Sequence, residues 1–222
     1  MHEGQRIGNA MKTTMFSGEQ MQVESYDSYE RIKTVHIPTL SAFAIEYAEF
    51  TPPRDLDYGY HVFHSGADFD VSGERITFDS GFSLKFGGFE SSRLVIHYHG
   101  IRDHGLLFPQ VSEPGLKMRL GSFYEEADAS FESGAWLSFA LMSAAVYEGL
   151  LAWKLQAFDV TLAKLIESAH AEGIIDDRER SILQNAREHR NHVHATRYDE
   201  PWVERAAAMD MRTTLDSLIR KL

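Results

Sequence analysis

Residues 135–156, AWLSFALMSAAVYEGLLAWKLQ, form a stretch that is apolar nearly all round when wound at about 100° per residue. A helix of that kind has no face suited to water. Other elements must cover it on several sides, and the rest of the chain has to supply them. Glu148 is its lone acid. A carboxylate in such a helix either reaches solvent or is paired, and a guanidinium from a neighbouring helix is the natural partner.

The covering elements follow it in the sequence. Residues 161–171 place Leu162, Leu165, Ile166 and Ala169 on one helical face, with Gly173 as the C-terminal stop. A further helix is expected over 176–194, capped by Asp176 or Asp177, with Ile182, Leu183, Ala186 and Val193 as its apolar arc. After a loop, Pro201 is expected to open a last helix whose apolar positions run from Val203 to Ile219 at helical spacing. Residues 131–222 therefore read as an antiparallel bundle of four helices.

Composition changes sharply ahead of this bundle. Eleven of 14 Phe, 13 of 16 Gly and 5 of 6 Pro precede residue 131, whereas 14 of 21 Ala follow it. Gly, Pro and aromatic residues punctuate and fill sheets, and Ala favours helices. Residues 1–20 carry no periodicity and read as a loose terminus. Residues 21–130 read as a mostly antiparallel β domain, its strand signals at 35, 39–50, 58–64, 69–71, 75–78, 82–86, 93–98 and 106–111 separated by turn residues. The expected fold class is α+β, with a boundary near residue 130. Phe82, Leu84 and Phe86 alternate with Ser83 and Lys85 as in a half-buried strand, a better account of them than a base-stacking platform.

The net charge of −11 argues against a protein that coats itself with nucleic acid, since phosphate contacts need clustered Lys and Arg. Residues 1–130 hold 11 basic and 19 acidic side chains and residues 131–222 hold 11 and 14, so a local phosphate-handling surface belongs in the second part. There is no cysteine, which excludes disulfides and thiolate metal sites and agrees with a reducing cytoplasm. The segment before Met15 lacks an apolar signal core, and no run approaches 18 uninterrupted apolar residues. A cytoplasmic protein with no membrane partner is the expectation. His97 and His99, two apart on a strand, share one face as a metal pair would, with His104, Asp103 or the His61/His64 pair as a third ligand. The spacing is similar to the His-x-His of cupin barrels, but the Glu that should follow is missing. Solvated or hydrogen-bonded strand histidines are the preferred reading, and no metal or other cofactor is expected.

The end of the 176–194 helix, Ala186-Arg-Glu-His-Arg-Asn-His-Val-His194, is unusual beside a core. Continuous α-helix would hold Arg187, Asn191 and His194 within roughly 60° of one another, with Arg190 at the edge. His189 and His192 would point away as surface residues, with His192 a lesser candidate for RNA contact. RNA carries its own nucleophile, the 2′-hydroxyl, so its cleavage needs a proton acceptor or donor and a cation on the phosphoryl oxygens. An imidazole can serve as general acid or base near neutral pH, and His194 is the candidate for that role. Arg187 can fork two hydrogen bonds onto a phosphate without losing its charge. Asn191 could orient phosphate or imidazole, and Arg190 could do the same or hold Glu148. The bland alternative is that cationic residues at a helix C-terminus simply complement its dipole.

The apolar helix with its acid, then Thr161-Leu-Ala-Lys-Leu-Ile-Glu-Ser-Ala169, Gly173-Ile-Ile-Asp176 and the 186–194 run, resembles the HEPN superfamily over residues 135–222. That family's motif is an Arg separated from a following His by four to six residues, often with Asn directly after an Arg; here six residues separate Arg187 from His194 and include Arg190-Asn191. The resemblance implies a metal-independent endoribonuclease, RNA as partner, and a homodimer whose two motifs face each other in one cleft. It also implies a role in toxin–antitoxin, abortive-infection (phage defence) or CRISPR-linked systems. The β domain would then sense a small ligand or bind an antitoxin or regulatory protein. Other members have lost activity and act as interaction modules, which is the second reading. A third, a metal-dependent β-barrel enzyme with a helical dimerisation appendage, rests on the histidines of the first domain.

Overall fold

The computed structural model describes residues 11–51, 61–64, 67–83, 89, 92–199 and 201–222. The fold is mixed α+β, with antiparallel sheets in the N-terminal half and helices in the C-terminal half. The chain divides into two compact units at Asp103 and His104. That division lies well before residue 130, which instead falls near the end of a helix, Pro114–Glu132.

Among its described residues the first unit has eight strands: β1 Lys12–Ser17, β2 Gln22–Tyr26, β3 Ile32–His36, β4 Phe43–Thr51, β5 His61–His64, β6 Phe69–Ser72, β7 Arg75–Phe82 and β8 Arg93–Ile101. They pair antiparallel in two four-stranded sheets, ordered β1-β8-β4-β5 and β2-β3-β7-β6. The pleat decides what is buried. On β8, Leu94, Ile96 and Tyr98 are buried, Val95 and His97 between them are half-buried, and Arg93 before and His99 beyond are exposed. Edge-on contacts join Phe16, Phe43 and Tyr98, and a second set links Phe69, Phe78 and Phe82.

Three expectations for this unit change. Residues 12–17, assigned to a loose terminus, form β1; Lys12-Thr-Thr-Met-Phe is too short to declare itself and is ordered by pairing along β8, which buries Phe16. Gly81, read as part of a turn, lies inside β7 at φ +60, where the register against β3 slips between Ile32 and Thr34. A Cβ there would stand 3.2 Å from the Ile32 carbonyl oxygen, so the glycine marks a bulge and not the end of the strand. The strand expected at 106–111 is absent: His104–Leu107 is a 3-10 turn of the helical unit. Leu84 and Phe86, and residues 1–10 and 58–60, fall outside the described residues.

Among its described residues the second unit holds five α-helices: α1 Pro114–Glu132, α2 Trp136–Leu155, α3 Leu162–Ala171, α4 Asp177–His189 and α5 Arg205–Lys221. Pro114 sits at the first helical turn of α1, where its missing N–H costs nothing, and Leu120, Tyr124 and Ala127 bury one face. As its uniform apolarity requires, α2 is covered by all four other helices. It is also the one described helix long and apolar enough to cross a membrane, and half of that window is buried within the protein. The Tyr147 hydroxyl donates to the Met211 carbonyl at 2.6 Å, tying α2 to α5; burial pushes its pKa well up, so the proton it donates stays in place.

Close approach of α1 makes a test. A Cβ on Gly121 would lie 2.7 Å from the Gly105 amide nitrogen, whereas one on Gly149 would meet side-chain atoms, the end of Leu120 at 2.7 Å and Leu116 at 3.7 Å. Gly121→Ala should lower stability by about 1–2 kcal/mol, overpacking against backbone outweighing a helix-propensity gain of about 1 kcal/mol. Gly149→Ala should cost less, since Leu120 can turn aside. Thermal melts of the two variants decide it, and equal shifts would show that the Gly105 turn gives way as readily as a side chain.

Candidate functional site at the end of the fourth helix

The start of α4 is held firmly. Asp176 and Glu179 make a reciprocal capping box, with N–H···O distances of 2.8 and 2.9 Å, and Lys221 of α5 donates to Glu179 at 2.8 Å. One turn on, Arg180 donates twice to Glu167 of α3, at 3.2 and 2.6 Å, and this guanidinium holds the Glu167 carboxyl below its ordinary pKa. Gln184 donates to the same carboxylate at 2.8 Å and uses its own carbonyl to accept from Arg187 Nε at 2.8 Å. A relay Glu167–Gln184–Arg187 therefore sets the Arg187 guanidinium, whose Nη2 lies 3.5 Å from Glu188. Gln184 and Glu167 carried no warning in the sequence as positioning groups; an amide three residues before an Arg is common on any helix.

The α-helix stops at His189. Residues Arg190–Val193 tighten into a 3-10 turn, and His194 leaves in an extended conformation with its amide donating to the Asn191 carbonyl at 3.2 Å. This corrects the expected helix to residue 194 and with it the 60° arc, because a 3-10 turn advances about 120° per residue. The tightening satisfies terminal carbonyls that no glycine cap is there to serve. It also turns Val193 to solvent, while Leu183 and Ala186 are buried as expected.

The structure brings Arg190 and Glu148 together, Nη1 to Oε2, at 2.8 Å. Glu148 is paired and still partly in solvent, so both of its expected alternatives hold at once. Arg187 and His194 share no hydrogen bond or ion pair among the described residues, though neither is sealed away: Arg187 keeps 35% of its side-chain surface and His194 is exposed. Asn191 is half-buried between them in sequence.

His189 and His192 differ from the expected surface residues. Both are half-buried, with Nδ1 atoms 3.5 Å apart and rings meeting edge to face. Burial, and then the His192 charge, push the His189 pKa below 6.5. The sign for stability follows: the unfolded chain takes up this proton first, so stability falls as pH drops through about 6.5 and stops falling below the folded-state pKa. His189→Gln should flatten that part of the curve. Melting temperatures of wild type and variant between about pH 5 and 7.5 check this, and parallel curves would refute it.

The metal candidates do not assemble. His97 lies 3.3 Å from Glu49 and His99 lies 3.4 Å from Glu46, both on the β4–β8 pair. His104 belongs to the helical unit, 3.9 Å from Glu125 and against the Tyr124 ring. Among the described residues no three metal-ligating side chains converge; the side chains of His61 and His64 lie outside them.

Comparison of the chain with known family models, with curated proteins and with solved structures finds no match.

Proposed function

We propose that the helical unit is a HEPN-type, metal-independent endoribonuclease acting as a homodimer, with α2 to α5 as the family's four-helix bundle and α1 as an addition. The observation that carries the reading is the end of α4. Arg190 is anchored on Glu148 of α2, Arg187 is aimed by the Gln184 relay, and His194 stands exposed just beyond. In the reaction, the RNA 2′-oxygen bonds to phosphorus as the bond to the 5′-oxygen breaks. His194 of one protomer takes the 2′-hydroxyl proton, and the same group of the other protomer protonates the departing 5′-oxygen. Arg187 neutralises the phosphoryl oxygens. The cellular setting this implies is toxin–antitoxin or phage defence in the cytoplasm, with the β unit binding an antitoxin, a regulatory protein or a small ligand.

The test is incubation of the purified protein with single-stranded and structured RNA, and with DNA of the same sequence, in EDTA. RNA alone should be cut, leaving 2′,3′-cyclic phosphate and 5′-hydroxyl ends. Cleavage of DNA, or cleavage that EDTA abolishes, would sink the proposal. A second reading, a non-catalytic HEPN assembly module carrying a ligand-binding β domain, is favoured by one fact: Arg187 lies in the α-helix, His194 lies in extended backbone beyond the 3-10 turn, and among the described residues no bond joins them. Intact RNA throughout is its expected result.

A further inference from the structure

Between α4 and the start of α5 lies an open cleft of about 360 Å3, formed by Asn185 and His189 on one side and by Trp202, Glu204, Asp210 and Met211 on the other. The sequence predicted a helix from Pro201, but residues 201–204 take no regular secondary structure and Glu204 is the N-cap; Trp202 is 63% exposed and Val203 is buried. The volume lies in the range of small-molecule sites, about 300–1,000 Å3.

Its chemistry has one sign. Among the described residues no Lys or Arg lines the cleft, and two carboxylates, Glu204 and Asp210, do. The half-charge at the α5 N-terminus is positive but is outweighed by two full negative charges. Arg178 reaches Asp210 at 3.7 Å from the rim; both partners are exposed, so this pair is weak and displaceable. His189 adds no cation near neutral pH, its proton being disfavoured by burial. An indole and two carboxylates lining one cleft are the groups that hold a guanidinium or alkylammonium, by cation–π attraction and charge-assisted hydrogen bonds. The Asn185 carbonyl offers a further acceptor.

We propose that this cleft binds an organic cation, a guanidinium or primary ammonium, supplied either by a free diamine-type molecule or by the arginine side chain of a peptide. The site does not depend on the nuclease reading, and its carboxylates would repel an RNA backbone.

The test uses the full-length chain, with the Trp202 indole N–H resonance as reporter, assigned through Trp202→Phe. Agmatine, acetyl-arginine amide and the neutral isostere acetyl-citrulline amide are titrated at low salt. Agmatine and the arginine amide should give saturable shifts, and the citrulline amide should bind at least about tenfold more weakly. Asp210→Asn and Glu204→Gln should each weaken cation binding roughly threefold to tenfold with melting temperature unchanged, since both side chains are exposed. Tighter agmatine binding identifies a free diamine as the source; tighter arginine amide, gaining further in an arginine-containing tripeptide, identifies a protein side chain. Citrulline amide binding as tightly as arginine amide, no saturation by either cation, or affinity indifferent to both carboxylate variants would overturn the proposal. So would an RNA oligonucleotide that shifts the reporter where the cations do not.

Discussion

His194→Ala is expected to slow RNA cleavage by about 10²- to 10⁴-fold, the range over which a positioned imidazole acts as general acid or base. Arg187→Ala is expected to cost about 10²- to 10³-fold, the usual loss of one preorganised donor to a developing oxyanion. Neither loss should come from unfolding. His194 is exposed in a turn, and Arg187 is held by one neutral hydrogen bond to Gln184 and a long contact to Glu188. Arg187→Lys keeps the charge but not the planar fork, so it should recover only part of the rate. The double variant should lose little more than the worse single one, because groups acting on one transition state are not additive. Single-turnover cleavage beside thermal melts reads all of this. Full activity in both alanine variants would remove these residues from the chemistry whatever the protein does to RNA.

The relay gives a graded companion result. Gln184→Ala removes the acceptor that sets Arg187 Nε and leaves the guanidinium in place, so its effect on cleavage should be smaller than that of Arg187→Ala.

How much of this was legible depends on whether local pattern or tertiary contact decided the element. The helix α2 declared itself because apolarity all round admits few other readings, and Glu148 announced a partner because an acid there has few choices. The cap at Asp176 was legible for the same local reason. By contrast α1 was hidden by its own glycines: Gly115 and Gly121 resemble sheet punctuation in composition, yet Gly121 is there so that the His104–Leu107 turn can approach the helix. Strands β1 and β2 are edge strands whose order comes from β8 and β3, and no property of Lys12-Thr-Thr-Met-Phe or Gln22-Val-Glu-Ser-Tyr announces that. The end of α4 was misplaced because no Gly or Pro lies between 176 and 200 to mark it. The helix closes by tightening its own hydrogen bonds, and a sequence pattern built on 3.6 residues per turn does not register that change.

Arg212→Leu is expected to destabilise the helical unit by roughly 2–4 kcal/mol, somewhat under the cost of breaking a fully buried ion pair. Arg212 of α5 is only 18% exposed. Its Nη1 donates to Asp128 of α1 at 2.6 Å, its Nε lies 3.4 Å from Asp216, and its guanidinium carbon stands 5.4 and 5.5 Å from the ring centres of Tyr124 and Phe131. The Tyr124 hydroxyl closes the set by donating to Asp216 at 2.9 Å, and burial pushes its pKa well up, so it remains a donor. Burial alone would lower the Arg212 pKa; Tyr124, Asp216 and Asp128 outweigh it and hold the charge more firmly still. Leucine replaces the volume but leaves two carboxylates facing an apolar wall without their cation. The decisive variant is therefore the double one: adding Asp128→Asn to Arg212→Leu removes one stranded charge and should restore about 1–2 kcal/mol, a positive coupling in a double-mutant cycle. Arg212→Lys should fall between, since an ammonium keeps the charge but not the two-sided stacking. If Arg212→Leu melts with wild type, the buried apolar face of α5, Leu215 and Leu218 included, holds that helix without help from the ion network.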